Sequence, residues 1–211
     1  MAALPWSAFY PDVLVHVKGC PLPLVDHHLR AAAIDLCQRS RRFKVAMAAF
    51  NTAAATPTYA LAPGAGMETV VILDAAIDGR PIDPATRAEL SAGVDWATET
   101  GQPSMYLMDG DDETVRLWKT PDAAYSVALT LAVKPAESAT GIEQWFGDRY
   151  RRTIARGALA ELLAIPKSPW TDLAMAGLRY EQFEAGVRAA EAQALKDGTA
   201  APLRTTRYGS A

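Results

Sequence analysis

Leu29-Arg30-Ala31-Ala32-Ala33-Ile34-Asp35-Leu36-Cys37-Gln38-Arg39-Ser40 carries the clearest structural signal in this 211-residue chain. Leu29, Ala32, Ala33, Leu36 and Cys37 stand at i, i+3, i+4, i+7 and i+8, which puts one apolar stripe on a helix of roughly five turns. Pro21 and Pro23 precede the pattern. Arg39, Arg41 and Arg42 fall in the last turn, where cations complement the exposed carbonyls and the negative end of the helix dipole. The helix is therefore predicted to finish near Arg42.

The helical period returns at the carboxyl end. Trp145, Phe146, Tyr150, Ile154, Leu159 and Leu162 keep it until Pro166 and Pro169 break it. A second helix is predicted to start from a Thr171 or Asp172 cap. Its residues Leu173, Ala176, Tyr180, Phe183, Val187, Ala190 and Ala194 alternate steps of three and four, a seam for packing along another helix, and Gly198 ends it. Thr199 to Ala211 has Arg204 and Arg207, no acidic residue and few large apolar groups, so this arm is not expected to fold without a partner.

Between the helical ends the period changes. Val45 to Phe50 and Val70 to Ile77 read as strands, and Asp78-Gly79 is a tight-turn signal leading into Arg80-Pro81-Ile82. Asp83-Pro84 is predicted to open a short helix through about Leu90, with Asp83 as the cap and Pro84 in the first helical position. Ser104 to Met108, Thr114 to Trp118 and Ser126 to Val133 are three more strands, and an antiparallel meander is the simplest arrangement of them. Charge divides the chain at the same places. Residues 1–44 carry a net +3, residues 45–140 a net −8 and residues 141–211 a net +2. The expected fold class is α+β: a helical bundle base built from 1–44 and 141–198, an inserted antiparallel β-rich lobe over 45–140, and an extended arm over 199–211.

Composition excludes several function classes. Half of the residues are hydrophobic and the formal charge is only −3, so the chain can bury enough surface to offset its ordering entropy. With 21 basic against 24 acidic residues the molecule lacks the positive field of a nucleic-acid binder. No run of 18 apolar residues marks a membrane span, and Met1-Ala-Ala-Leu-Pro-Trp has no secretory character, so a cytoplasmic site of synthesis is expected. Cys20 and Cys37 have no metal or redox spacing and read as small buried hydrophobes, with one bridge between them left open.

The search for reactive groups yields little. His27 and His28 are adjacent on a helix and point about 100 degrees apart, with only His16 upstream, so no metal site is expected. Asp109-Gly110-Asp111-Asp112-Glu113 is rich in carboxylates but lacks the alternating ligands of a calcium loop, and reads as a solvated hairpin tip. Gly64-Ala65-Gly66 precedes no helix and no Gly-Lys-Ser/Thr, so it does not cradle phosphate. No GxSxG elbow or HExxH occurs. Trp145, Phe146, Tyr150, Tyr180 and Phe183 lie at helical spacing and read as core or helix-to-helix contacts rather than a stacking box. No enzyme activity and no cofactor are expected; a cytoplasmic enzyme or small-ligand binder using the acidic lobe is the contrasting class, recognisable by a concave site with convergent polar groups.

Two stretches go beyond generic helix. Val17-Lys18-Gly19-Cys20-Pro21-Leu22-Pro23 followed by the Leu29–Ser40 segment resembles the opening of head-to-tail adaptor proteins of tailed bacteriophages, a Gly-Cys-Pro turn and then Leu-Arg-x-Ala-Ala-Ile-x-Phe-Cys-x-Arg. Leu36 replaces the usual Phe. Ala155-Arg156-Gly157-Ala158-Leu159 through Ile165-Pro166-Lys167-Ser168-Pro169-Trp170 and on to Phe183-Glu184-Ala185-Gly186 is similar to the closing helices of the same adaptors. Residues 45–140 carry no such resemblance.

The resemblance implies a structural virion protein without catalytic groups: a homo-oligomeric ring, commonly twelve-fold, below the portal protein in the neck between head and tail, with a tail tube or nozzle protein docking on it. A tail-completion or stopper protein one layer lower is the related alternative. Leu203, Arg204, Arg207 and Tyr208 then read as a partner-binding arm, an apolar anchor with two guanidinium forks and an aromatic, suited to an acidic portal surface. DNA is expected only as a passing, non-specific contact. Asp109, Asp111, Asp112 and Glu113 would repel a duplex in the channel if they face it.

Overall fold

A computed structural model of the chain describes residues 3–91, 96–108 and 113–196. β1 (Ala3–Pro5) leads through a 3-10 turn at Trp6–Phe9 into the short α1 (Tyr10–Val13) and then α2 (Leu22–Ser40). β2 (Lys44–Ala46), β3 (Phe50–Asn51), β4 (Thr58–Ala60), β5 (Met67–Ile77), β6 (Arg80–Pro81) and β7 (Asp83–Pro84) follow. Next come α3 (Arg87–Ser91), β8 (Met105–Met108), β9 (Thr114–Trp118) and β10 (Ser126–Pro135). β11 (Gly141–Glu143) opens α4 (Gln144–Ala164), and α5 (Leu173–Leu195) follows it. The chain divides into two compact units, residues 1–42 with 140–211 and residues 43–139. The first, hereafter the base, carries a net +4 and the second, the lobe, a net −7.

In the base, each helix end has a local cause. Pro23 sits in the first turn of α2, where its missing N–H is no loss. Arg41 adopts the left-handed conformation at φ 50° and donates its N–H to the Cys37 carbonyl at 2.9 Å, so the helix stops at Ser40, two residues before Arg42. α4 ends where Ile165 turns extended ahead of Pro166. Trp170 then folds back, its indole N–H donating to the Leu162 carbonyl at 3.2 Å. The Asp172 carboxylate accepts the Met175 N–H at 3.0 Å and caps α5.

The three long helices pack on one another. Leu29, Leu36 and Cys37 from α2, Phe146, Ile154 and Leu162 from α4, and Phe183, Val187 and Ala190 from α5 are all buried. All three meet at Gly157, where a Cβ would come within 2.8 Å of both Ala32 and the Phe183 ring. Gly186 plays the same part against Thr153, at 2.6 Å. Antiparallel β1 and β11, with Leu4 opposite Ile142, tie the amino end to the start of α4. Cys20 and Cys37 are separate buried thiols, and burial pushes both up from the ordinary thiol value.

The lobe holds two sheets instead of one meander. β8 and β9 form an antiparallel hairpin, but β10 leaves them to lie between β5 on one edge and β2 and β3 on the other. The reason is its side chains. Val127, Leu129, Leu131, Ala132 and Val133 are buried, which suits a central strand flanked on both edges. The second sheet has the order β4-β9-β8-β7, and its β7–β8 pair is parallel. Asp78 and Gly79, at φ 48° and 75°, make the tight turn from β5 to β6.

Asp83-Pro84 does not begin a helix. It pairs with Met105 and Tyr106 as β7, and the helix starts at Arg87. Thr86 and Glu89 cap it reciprocally: the Glu89 N–H donates to the Thr86 hydroxyl at 3.2 Å and the Thr86 N–H to the Glu89 carboxylate at 2.7 Å.

Candidate assembly surface

α5 exposes large apolar residues beside its charged ones, Glu181, Arg188 and Glu191. Its buried residues Ala176, Phe183, Val187 and Ala190 form one stripe toward α2 and α4. Away from that stripe, Leu173 is 70%, Leu178 45%, Tyr180 57% and Leu195 67% exposed. Ala174, Gly177, Ala185, Ala189 and Ala192 are exposed between them. Exposed large apolar side chains among alanines and a few charges make a surface suited to contact with another chain. The sequence reading put Leu173 and Tyr180 on the buried seam. They lie on the open flank because the seam narrows to Ala176 in the first turns of α5. Trp145, also read as a packing contact, is 42% exposed and donates its indole N–H to Glu143 at 2.7 Å. Phe146, Tyr150 and Phe183 are buried as core.

Polar side-chain contacts link the elements of the base. Arg39 at the end of α2 donates two hydrogen bonds to Glu184 on α5, at 2.6 and 2.7 Å, and one to Asp35 at 3.2 Å. The guanidinium holds the Glu184 carboxyl below the usual carboxylate range, and the carboxylate in turn raises Arg39. His28 Nδ1 lies 2.6 Å from Glu161, joining α2 to α4. Arg151 on α4 donates to Asp12 at 2.6 Å and to the Ala8 carbonyl. Arg179 lies 3.4 Å from His16, so the loop carrying Val15, 68% exposed, sits beside the second turn of α5.

The residues singled out from sequence fare differently. Leu203, Arg204, Arg207 and Tyr208 lie outside the described residues, as do Asp109, Asp111 and Asp112. Glu113 is exposed immediately before β9, and its carbonyl accepts the Leu61 N–H at 2.7 Å. Among the described residues no group of three or more His, Cys, Asp or Glu is placed to hold a metal ion, and no helix is long and apolar enough to cross a membrane. Leu178 and Leu195 were not singled out from sequence. The signal that finds them is the number of apolar residues of α5 outside its buried stripe, which a search for a single stripe passes over.

The three-helix base thus exposes a row of apolar residues on α5 with no reactive cluster beside them among the described residues, a surface suited to contact with other chains. The sequence model of the SU10 adaptor protein family matches residues 17–206, nearly the whole chain, and the chain belongs to that family. It is therefore a structural adaptor of a bacteriophage. The match runs through the lobe, where no resemblance was recognised by motif. A search of curated proteins finds no match.

Proposed function

We propose that the protein is a head-to-tail adaptor that forms a ring, twelve-fold in the manner of the adaptors it resembles, beneath the portal in the virion neck. It takes its place there from the host cytoplasm during assembly and offers a docking surface to a tail tube or nozzle protein. The exposed large apolar residues of α5, Leu173, Leu178, Tyr180 and Leu195, are the observation that carries this reading. In a closed ring each copy presents one patch to a different patch on the next, and an exposed helix flank is the kind of surface such head-to-tail contacts cover. Leu203, Arg204, Arg207 and Tyr208 serve as its docking arm. DNA passes through without specific contact, in keeping with a net charge of −3. The work is done by shape and contact, and no reaction is assigned to it.

Electron microscopy of the chain mixed with its cognate portal tests the proposal. Rings capping the portal are the expected result. A chain that stays monomeric beside intact portals, or that binds only further down the tail, contradicts it.

A further inference from the structure

The sheet built on β10 has one open face. Across β2, β10 and β5 the residues Ala46, Thr130 and Asp74 form one row, and Ala128, Ala76 and Pro81, across β10, β5 and β6, form the next. All six are exposed or half-buried, so no described part of the chain covers them. A water-facing side of an antiparallel sheet is ordinarily polar. Here three alanines and a proline make it a bare apolar floor.

Over that floor lies a trough of about 640 Å³. Asp74 from β5 and Asp83 from β7 line it together with Tyr106. Burial first, and then the charges of both aspartates, push the Tyr106 phenol up from its ordinary value, so the two carboxylates bear on one spot. Elsewhere in the lobe Glu68 is paired with Lys134 and Glu99 with Lys119. Neither Asp74 nor Asp83 has an ion pair or a side-chain hydrogen bond among the described residues. Two unpaired carboxylates beside an apolar floor suit a guanidinium carried on its aliphatic stem.

The base carries such groups. On α4, Trp145, Arg149, Arg152 and Arg156 stand at i, i+4, i+7 and i+11, on one side of the helix. The first three are exposed and Arg156 is half-buried. Arg149 donates to Gln193 of α5 at 3.0 Å, which sets the stripe beside α5. Arg152 and Arg156, one turn or about 6 Å apart, have no ion pair or side-chain hydrogen bond among the described residues. Asp148, exposed on the same side, leaves the stripe with an excess of positive charge.

We propose that Arg152 and Arg156 of one copy seat in the trough lined by Asp74 and Asp83 on the lobe of the next copy. The inference rests on the adaptor reading and names the second patch of its ring contact, the one that receives the helices. Charge selects this pairing. A base of net +4 meets a lobe of net −7, whereas base against base or lobe against lobe would set like charges together. The guanidinium forks bond the carboxylates while their stems lie on the alanine floor. The exposed apolar residues of α5 run beside the stripe, so one contact covers both.

The test uses two full-length variants distinguished by tag length, mixed equally, assembled on portal rings and treated with a short bismaleimide. One carries Arg149→Cys or Arg152→Cys, the other Ala46→Cys, Ala76→Cys or Ala128→Cys; the native Cys20 and Cys37 are buried. A long-tagged chain is expected to join a short-tagged one in at least one combination. Arg152→Glu with Arg156→Glu, and separately Asp74→Arg with Asp83→Arg, should each cut the yield of rings at least tenfold. All four changes in one chain reverse both sides of every contact and should restore the yield to within about threefold. Rings without any mixed crosslink overturn the inference and leave the adaptor reading standing. So does a full yield of rings from either reversed pair, or a fourfold variant with native circular dichroism that does not recover. If the fourfold variant fails to fold, the crosslink alone decides. If the native chain forms no ring, the adaptor reading fails and the inference falls with it.

Discussion

The base and the lobe solve the same problem, burying an apolar face, with opposite statistics. In the base the partners of a residue lie three or four positions away on its own helix and on two neighbouring helices, and the net charge is +4. In the lobe no local period fixes the arrangement and strand pairing decides it, β10 with β5 fifty to sixty-eight residues earlier, and the net charge is −7. The contrast teaches that the base is a scaffold whose packing leaves little freedom, down to glycines such as Gly157 and Gly186 that no side chain can replace without displacing a neighbour. The lobe is a pair of sheets that leaves one face open.

The sharpest way to break this comparison is through the base. Phe183→Ala removes the ring against which α4 closes at Gly157, and should cost about 3 to 5 kcal/mol, read as a large fall in the denaturation midpoint. Leu131→Ala in the middle of β10 should cost about 2 to 4 kcal/mol. The two are expected to differ in kind. Hydrogen exchange in the first should accelerate across α2, α4 and α5, and in the second across β5 and β10, and a uniform response to both would mean that the units do not unfold separately.

Removing Thr86 as a cap, by Thr86→Ala, should cost about 1 kcal/mol and fray only Arg87–Ser91. The Arg39–Glu184 pair is worth no more than about 1 kcal/mol, because the Arg39 side chain is well exposed and solvent screens it. Its sign is fixed all the same. Glu184 is held below its ordinary value in the folded state, so its contribution is complete above the usual glutamate range and is lost as pH falls through the lowered value. Arg39→Ala should therefore flatten the acid limb of a stability-against-pH curve while leaving its neutral limb lower by that small amount.

How much of this was legible in the sequence follows the same contrast. Leu29 to Cys37 and the Asp172 cap were readable because helical partners are close in sequence. The strands of the lobe were readable as strands, but periodicity does not choose partners, so β10 was assigned to a meander that it leaves. Asp83-Pro84 has the local signature of a helix start, yet pairing with Met105 and Tyr106 overrides it, and the Thr86–Glu89 box three residues on was passed over. The exposed apolar residues of α5 escaped notice for a related reason: apolar residues on several sides of a helix blur its stripe, and which of them face the base is settled by packing against another helix, as where Phe183 meets Gly157 of α4.

The smallest expected effect on stability belongs to the residues with the largest expected effect on assembly. Leu178→Asp, on the open flank, should change stability by no more than about 0.5 kcal/mol while preventing ring formation. Most direct of all is a cysteine at Ala185, exposed on that flank, treated with maleimide in the free chain and in portal-bound rings. The account predicts rapid labelling of the free chain and at least tenfold slower labelling once rings have formed. Equal rates in the two states, with the rings intact, would contradict it.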